Sequence, residues 1–158
     1  MIRTGIDFDI HRFATGRKLF LGGVEISSPE GLEGHSDADV LCHALADALL
    51  GSIADGDIGQ HFPNTDPKWK NADSVELLRQ VVLRVKAKGF HVVNVDAAIT
   101  AEKPKVMPYA LRMRERLAPV LGVTLDEVSI KATTMEGLGA IGRGEGIAVM
   151  AVATVEKT

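Results

Sequence analysis

The sequence predicts an α+β fold, with helices packed on a sheet in a single domain over residues 1–158. Three observations carry this. Residues 5–11, GIDFDIH, alternate apolar and polar side chains with the period of a strand. Residues 40–54, VLCHALADALLGSIA, place apolar side chains at helical spacing. Along the chain the order is strands, helix, long loop, helix, strand, helix, strand, strand, without internal repeats.

The first strand covers residues 2–12. LFLGGVEI (19–26) holds two short apolar runs around Gly22-Gly23, a hairpin signal. A polar loop, PEGLEGHSDAD (29–39), offers Ser36 or Asp37 as N-cap for the helix over 40–54. DGDIGQHFPNTDPKWKN (55–71) has turn-favouring clusters and no period, and reads as a long loop of the kind that usually carries function. Asp73-Ser74-Val75-Glu76 starts a second helix that stops at Gly89. FHVVNVDAAITA (90–101) is a strand, and a third helix runs from near Pro108 to Leu121-Gly122, loosened by Pro119 in its last turn. VSIKATT (128–134) and GIAVMAVATVEK (146–157) are strands flanking a glycine-rich run.

Composition narrows the function classes. At 46% hydrophobic and 25% charged, the chain is ordinary for a soluble globular protein, and with 4% aromatics its interior must be aliphatic. A net charge of −3 gives no general attraction for nucleic acid or anionic membranes, and no apolar run reaches the roughly 20 residues of a membrane span. One cysteine, Cys42, excludes an internal disulfide and suits a reducing compartment. With no apolar or Arg/Ser-rich leader, the expected location is the cytoplasm, for the chain as it stands or as a trimmed mature form.

The polar face of the first strand raises the question of function. Asp9 and His11 are two residues apart, so their side chains leave the same face with Cα atoms roughly 6–7 Å apart and can converge on one ion. The helix over 40–54 adds a stripe of Asp39, His43 and Asp47 at i, i+4 and i+8. One carboxylate and two imidazoles are suitable ligands for tetrahedral zinc, leaving a fourth position open to substrate. Solvent remains the simpler destination for such a face. GLGAIG (137–142) matches a dinucleotide fingerprint, but it leads into a final strand instead of opening a helix between two strands. A turned loop presenting N–H groups and Arg143 to an anion suits it better. Beside it, Thr133 and Thr134 offer hydroxyls to phosphate and Glu136 a carboxylate to a hard cation such as magnesium.

The stretches GIDFDIHRF, LGGVEI, GHSDADVLCHALADALLG, GDIGQHFPNTDP, NVDAAITAEKPK, KATTMEGLG and GRGEGIAV, in this order over the whole length, resemble the 2-C-methyl-D-erythritol 2,4-cyclodiphosphate synthase family. The resemblance implies a phosphorus–oxygen lyase of non-mevalonate isoprenoid biosynthesis. Its 2-phosphate-bearing diphosphocytidyl substrate closes on its own β-phosphate and releases CMP. It also implies a homotrimer with active sites between subunits, each a mixed sheet with helices on one face. Zinc would be held by Asp9, His11 and His43, and a second divalent cation, magnesium or manganese, by Glu136. His35 and Thr134 match positions assigned to transition-state stabilisation.

The substrate would further meet Phe8 and Ser36, then Asp57, Ile58 and Gly59 near the ribose and methylerythritol. Phe62, Pro63, Asn64, Thr65 and Asp66 would form a mobile loop over the erythritol phosphate. Ala101 to Met107, including Pro104, Lys105 and Val106, would take the cytosine, and Thr133 and Arg143 would meet the phosphates or line the neighbouring pocket. Three positions depart from the family's usual pattern: Asp7 stands where glycine is usual, Asn64 where aspartate is, and Met150 where some members carry glutamate. Two other functions use the same residues, a zinc-dependent nucleotide phosphohydrolase and a trimeric binding module with a purely structural metal. The second is at odds with three ligands, since structural zinc is normally closed by four.

Overall fold

A computed structural model describes residues 1–158. One strand dominates the start of the chain: β1 (Ile2–Ala14) pairs along most of its length with the last strand, β7 (Gly146–Lys157), antiparallel. On its other side β7 pairs antiparallel with β5 (Phe90–Thr100), and β5 pairs parallel with β6 (Val128–Thr133). A two-residue strand, β4 (Gly31–Leu32), adds to the free edge of β1 through Phe13 and Ala14. The sheet is therefore mixed, in the order β4-β1-β7-β5-β6. The parallel pair is joined by a helix, as such a crossover requires.

Separately, β2 (Leu19–Leu21) and β3 (Val24–Ile26) form the expected hairpin. Gly22 and Gly23 both take positive φ, +59° and +72°, which a two-residue turn of this hand demands. The helix expected over 40–54 is α1 (Val40–Ser52), but its N-cap is Asp39, not Ser36 or Asp37. Asp39 is wholly buried; its carboxylate accepts from the N–H groups of Cys42 (3.0 Å), Gly22 (3.0 Å) and Gly23 (2.8 Å), tying the hairpin to the helix start.

α1 is apolar nearly all round because it lies between layers, on β1 and β7 on one side and against α3 (Ser74–Ala87) on the other. Its approach to β1 is very close: a Cβ on Gly5 would fall 1.8 Å from the carbonyl oxygen of Ala48. α3 packs on β5, and α4 (Ala110–Leu121) on β6 and α3. Pro119 does not end α4, which continues to Leu121 and stops at left-handed Gly122. Within the long loop stand a single helical turn, α2 (Ile58–His61), and a 3-10 turn at Pro67–Trp69. The glycine-rich run holds a single helical turn, α5 (Gly139–Gly142), before the final strand, so it opens no strand–helix–strand unit.

α1 and α3 pack on the inward residues of β5 and β7, Val95, Ala97, Ile99, Val149, Ala151, Ala153 and Val155, and α4 packs on β6, where Val128 and Ile130 are buried. β1 inverts the usual rule. Its apolar residues point away from the helices and are exposed, Ile6 by 66%, Phe8 by 58% and Ile10 by 49%. Met150, opposite Phe8 in the register, is 48% exposed on the same side. The polar residues Asp7, Asp9 and His11 are the ones turned towards α1.

Candidate metal centre and substrate site

Turning the polar face of β1 inward brings Asp9 and His11 against His43 of α1. Asp9 Oδ2 lies 3.2 Å from His11 Nε2 and 3.7 Å from His43 Nδ1, and one ligand atom from each of the three residues falls within 4.8 Å of the others. The imidazoles meet edge to face with centroids 5.1 Å apart. Of the acidic residues in the α1 stripe, neither joins this group: Asp39 is the N-cap, and Asp47 accepts the N–H of Ile58 at 2.7 Å.

Each histidine uses its remaining nitrogen on the protein. His11 Nδ1 lies 3.0 Å from the carbonyl oxygen of Ala38, which accepts its proton and leaves Nε2 free towards Asp9. Ala38 reaches that position with φ of +60°, a conformation that costs a non-glycine residue about 1–3 kcal/mol. His43 Nε2 contacts the hydroxyls of Ser74 (2.9 Å) and Ser36 (3.1 Å), leaving Nδ1 towards Asp9.

Burial pushes the His43 imidazole down to about 4, reinforced by the neighbouring His11 and only partly offset by Asp9 and Asp37. It is therefore neutral at neutral pH, the form that ligates metal. Burial works against the Asp9 carboxylate, but the hydrogen bond and charge that His11 offers when protonated, with the charge of a protonated His43, outweigh it and hold Asp9 below the usual carboxylate range. Burial raises Asp7 to about 6, with Asp9 and Asp57 adding repulsion, and raises Asp47 to about 6 against its hydrogen bond from Ile58. An acidic carboxylate, a neutral imidazole and free nitrogens aimed at one point fit a divalent cation.

The triad opens into a cavity of about 310 Å³, with His35, Ser36, Ile58, Gly59, Phe62 and Asn64 on its wall. His35 is held there because Arg17 donates to the carbonyls of Gly34 and Ser36 on either side of it. Its Nε2 is buried without a hydrogen-bond partner. Phe62 is steadied by edge-to-face contact with Trp69, 4.8 Å between centroids. Asp57 caps α2 and Asp66 caps the following 3-10 turn; both carboxylates therefore act on backbone N–H groups, while Pro63 and Thr65 lie between them in the loop.

The other expected residues gather elsewhere. Ala101, Pro104, Lys105, Val106, Met107, Thr133 and Thr134 line a second cavity of about 280 Å³ at the ends of β5 and β6. Glu136 follows in an exposed turn at φ +54°, its N–H bonded to Thr134 Oγ1 at 3.1 Å, outside the triad's cavity. Arg143 belongs to a third cavity beside Pro104 and pairs with Glu145 at 2.8 Å. Phe8 lies on the opposite face of the sheet from the triad. Both cavities sit at one end of the sheet, since Ile10 and Thr100 each pair with Ala148. Three strand spacings of about 4.8 Å separate β1 from β6, so the two groups stand roughly 14 Å apart within one chain.

Sequence reasoning missed Ser74, Asp37, Trp69 and the carbonyl of Ala38. Ser74 reads in the sequence as one residue of a helix start, and its hydroxyl reaches a histidine 31 positions earlier, which no local spacing reports.

A mixed sheet backed by helices, with a carboxylate–imidazole triad able to hold a divalent cation, defines an α+β protein with a candidate metal site. The chain belongs to the YgbB family, whose profile matches residues 2–156. It is 57% identical over 151 residues to the 2-C-methyl-D-erythritol 2,4-cyclodiphosphate synthase of Moorella thermoacetica, covering 96% of this chain and 93% of that one. To the enzyme of the same name from Chlorobaculum tepidum it is 55% identical, covering 98% and 99%. Among solved structures, the bifunctional IspDF from Campylobacter jejuni superposes with a TM-score of 0.96 at 43% identity, over 100% of this chain and 43% of that longer one. The CDP complex of IspF from Plasmodium falciparum superposes with a TM-score of 0.87 at 30% identity, over 99% and 97%.

Proposed function

We propose that this chain is a cyclodiphosphate synthase: it converts 4-diphosphocytidyl-2-C-methyl-D-erythritol 2-phosphate to 2-C-methyl-D-erythritol 2,4-cyclodiphosphate. An oxygen of the 2-phosphate bonds to the β-phosphorus, the bond between that phosphorus and the bridging oxygen breaks, and CMP leaves with the oxygen. The names of the relatives support the reaction, and the observation that carries it in this molecule is the Asp9–His11–His43 triad at the mouth of a polar cavity.

The attacking group is a phosphate oxygen, anionic at neutral pH, so the chemistry calls for no nucleophilic side chain. The site agrees. Ser74 is 1% and Ser36 6% exposed, both engaged with His43, and burial pushes the Cys42 thiol well above its ordinary range. What the protein must do is fold a flexible polyanion on itself, an advantage of roughly 7–11 kcal/mol in well-oriented intramolecular reactions. Zinc held by Asp9, His11 and His43, with magnesium or manganese at Glu136, would neutralise phosphate charge and polarise the phosphorus centre. His35, on the wall of the triad's cavity, hydrogen-bonds the phosphates near the triad; Thr134 does so from the second cavity. Ala101 to Met107 receive the cytosine, and the segment from Asp57 to Asp66 covers the methylerythritol phosphate. Arg143 and Thr133 add polar contacts to the phosphates.

The working unit we propose is a homotrimer. Two half-sites some 14 Å apart in one chain, and an exposed apolar sheet face of Ile6, Phe8, Ile10 and Met150, support a partner that covers the face and brings its own half-site to the triad. No helix is long and apolar enough to cross a membrane. We assign the enzyme to the cytoplasm, where the buried free thiol of Cys42 is at home. Incubation with the linear substrate and identification of the product by mass and phosphorus NMR tests the reading. Cyclic diphosphate and CMP in equal amounts support it. Free phosphate or a linear diphosphate would instead support a zinc-dependent phosphohydrolase.

A further inference from the structure

We infer that Ser74, oriented by Asp37, is a positioning residue that selects the metal-binding tautomer of His43. The inference rests on the reading of Asp9, His11 and His43 as cation ligands, and it concerns a hydroxyl outside that set.

Three contacts fix the direction of the chain. The Ser74 hydroxyl donates to Asp37 Oδ1, and the other carboxylate oxygen, Oδ2, accepts Ser74's own backbone N–H at 3.1 Å. Asp37 Oδ1 also accepts the N–H of Asp39 at 3.1 Å. A carboxylate in this position only accepts. The hydroxyl proton of Ser74 is thereby committed, and its oxygen meets His43 Nε2 at 2.9 Å as an acceptor. Acceptance by Ser74 favours the His43 proton on Nε2, and the lone pair on Nδ1 then faces Asp9 Oδ2 at 3.7 Å, inside the triad. Ser36 Oγ, 3.1 Å from the same Nε2, accepts the N–H of Ala38 and lies 3.3 Å from Ser74 Oγ. With the Ser74 proton on Asp37, the Ser36 hydroxyl has Ser74 Oγ as an acceptor for its own proton, which leaves both oxygens to accept from Nε2.

The arrangement is buried and spans the chain. Ser74 is the first residue of α3, and the loop with Phe62 to Asp66 precedes it. The same turn serves the other imidazole, because Ala38 follows Asp37 and its carbonyl sets His11 the opposite way, with the proton on Nδ1. Two histidines therefore present different nitrogens to one point, and the protein partner on each decides which. Partners of this kind typically change metal affinity 10- to 100-fold when removed.

The test uses the full-length protein, with zinc as the probe. Zinc affinity is measured by chelator competition, and the His43 tautomer of the zinc-free protein by long-range 15N–1H NMR, for wild type, Ser74→Ala, Ser74→Thr, Asp37→Asn and His43→Ala. Wild type is expected to show the proton on Nε2. S74A is expected to weaken zinc about 10- to 100-fold and to mix the tautomers. S74T keeps the hydroxyl and holds affinity within a few-fold of wild type. D37N, whose amide can also donate to the hydroxyl, falls between wild type and S74A and carries the test if S74A does not fold. Wild-type affinity and an unmixed tautomer in S74A and D37N would overturn the inference, as would an equal loss in S74A and S74T, which would mark packing as the cause. Failure of the ligand set itself reads differently: H43A would then keep stoichiometric zinc.

Discussion

Gly5→Ala tests how the metal centre is built, because it acts on the spacing between the two elements that share the ligands. Gly5 lies on β1, four residues before Asp9, and its missing Cβ would stand 1.8 Å from Ala48 O and 2.6 Å from Ser52 N, both backbone atoms of α1. Backbone cannot swing aside as a side chain does, so α1 must retreat from β1 by more than 1 Å to restore a contact of about 3 Å. His43 precedes Ala48 by five residues, roughly 7.5 Å along the helix axis, and moves with it. Ligand distances tolerate only about 0.2 Å. Overpacking of this kind costs about 1–3 kcal/mol. At about 2–4 °C per kcal/mol for a chain of this size, the melting temperature falls by roughly 2–12 °C. Urea unfolding of the zinc-free protein reads the stability, and chelator competition reads a zinc affinity reduced tenfold or more. A G5A variant with wild-type midpoint and wild-type zinc affinity would refute the claim that direct contact of α1 with β1 sets the triad.

Other outcomes follow from the same geometry. D9N and H43A are each expected to lose zinc and turnover while keeping the wild-type far-UV spectrum and oligomer mass; near-normal turnover in either would contradict the assignment. His43 is lowered from 6.5 to about 4 in the folded state, so the unfolded chain binds the extra proton between those values. The zinc-free wild type should therefore lose stability relative to H43Q as pH falls from about 6.5 to 4, by on the order of 2–3 kcal/mol, whereas parallel curves in urea titrations would show that the imidazole is not desolvated. Placing a charge on the exposed sheet face, by F8D or I6D, is expected to give a 16.9 kDa monomer by analytical ultracentrifugation without unfolding the chain. A trimer that survives both substitutions would mean that subunits meet elsewhere.

Local chemistry made much of this legible. The strand read over 2–12 is Ile2–Ala14, the Gly22-Gly23 turn closes the hairpin, and helices begin at Val40, where apolar spacing placed it, and at Ser74, where capping did. What escaped was set by distant contacts. Gly31–Leu32 is too short to show a period, and it becomes a strand only because β1 offers an edge. The N-cap moved to Asp39 because two hairpin N–H groups, not only the helix, need its carboxylate. Alternation in GIDFDIH shows two faces without saying which is buried, and here a pair of imidazoles and a carboxylate take the inward side. The residues read for one substrate are spread over three cavities and beyond them because spacing along a chain carries no information on distance across a sheet.

The most direct test is a crystal of the zinc-loaded protein measured at the zinc absorption edge. The anomalous peak is expected between the Asp9 carboxylate, His11 Nε2 and His43 Nδ1, with one further position facing the cavity of His35. A peak elsewhere, or one that binds His43 through Nε2, would contradict the metal centre on which the proposed reaction depends.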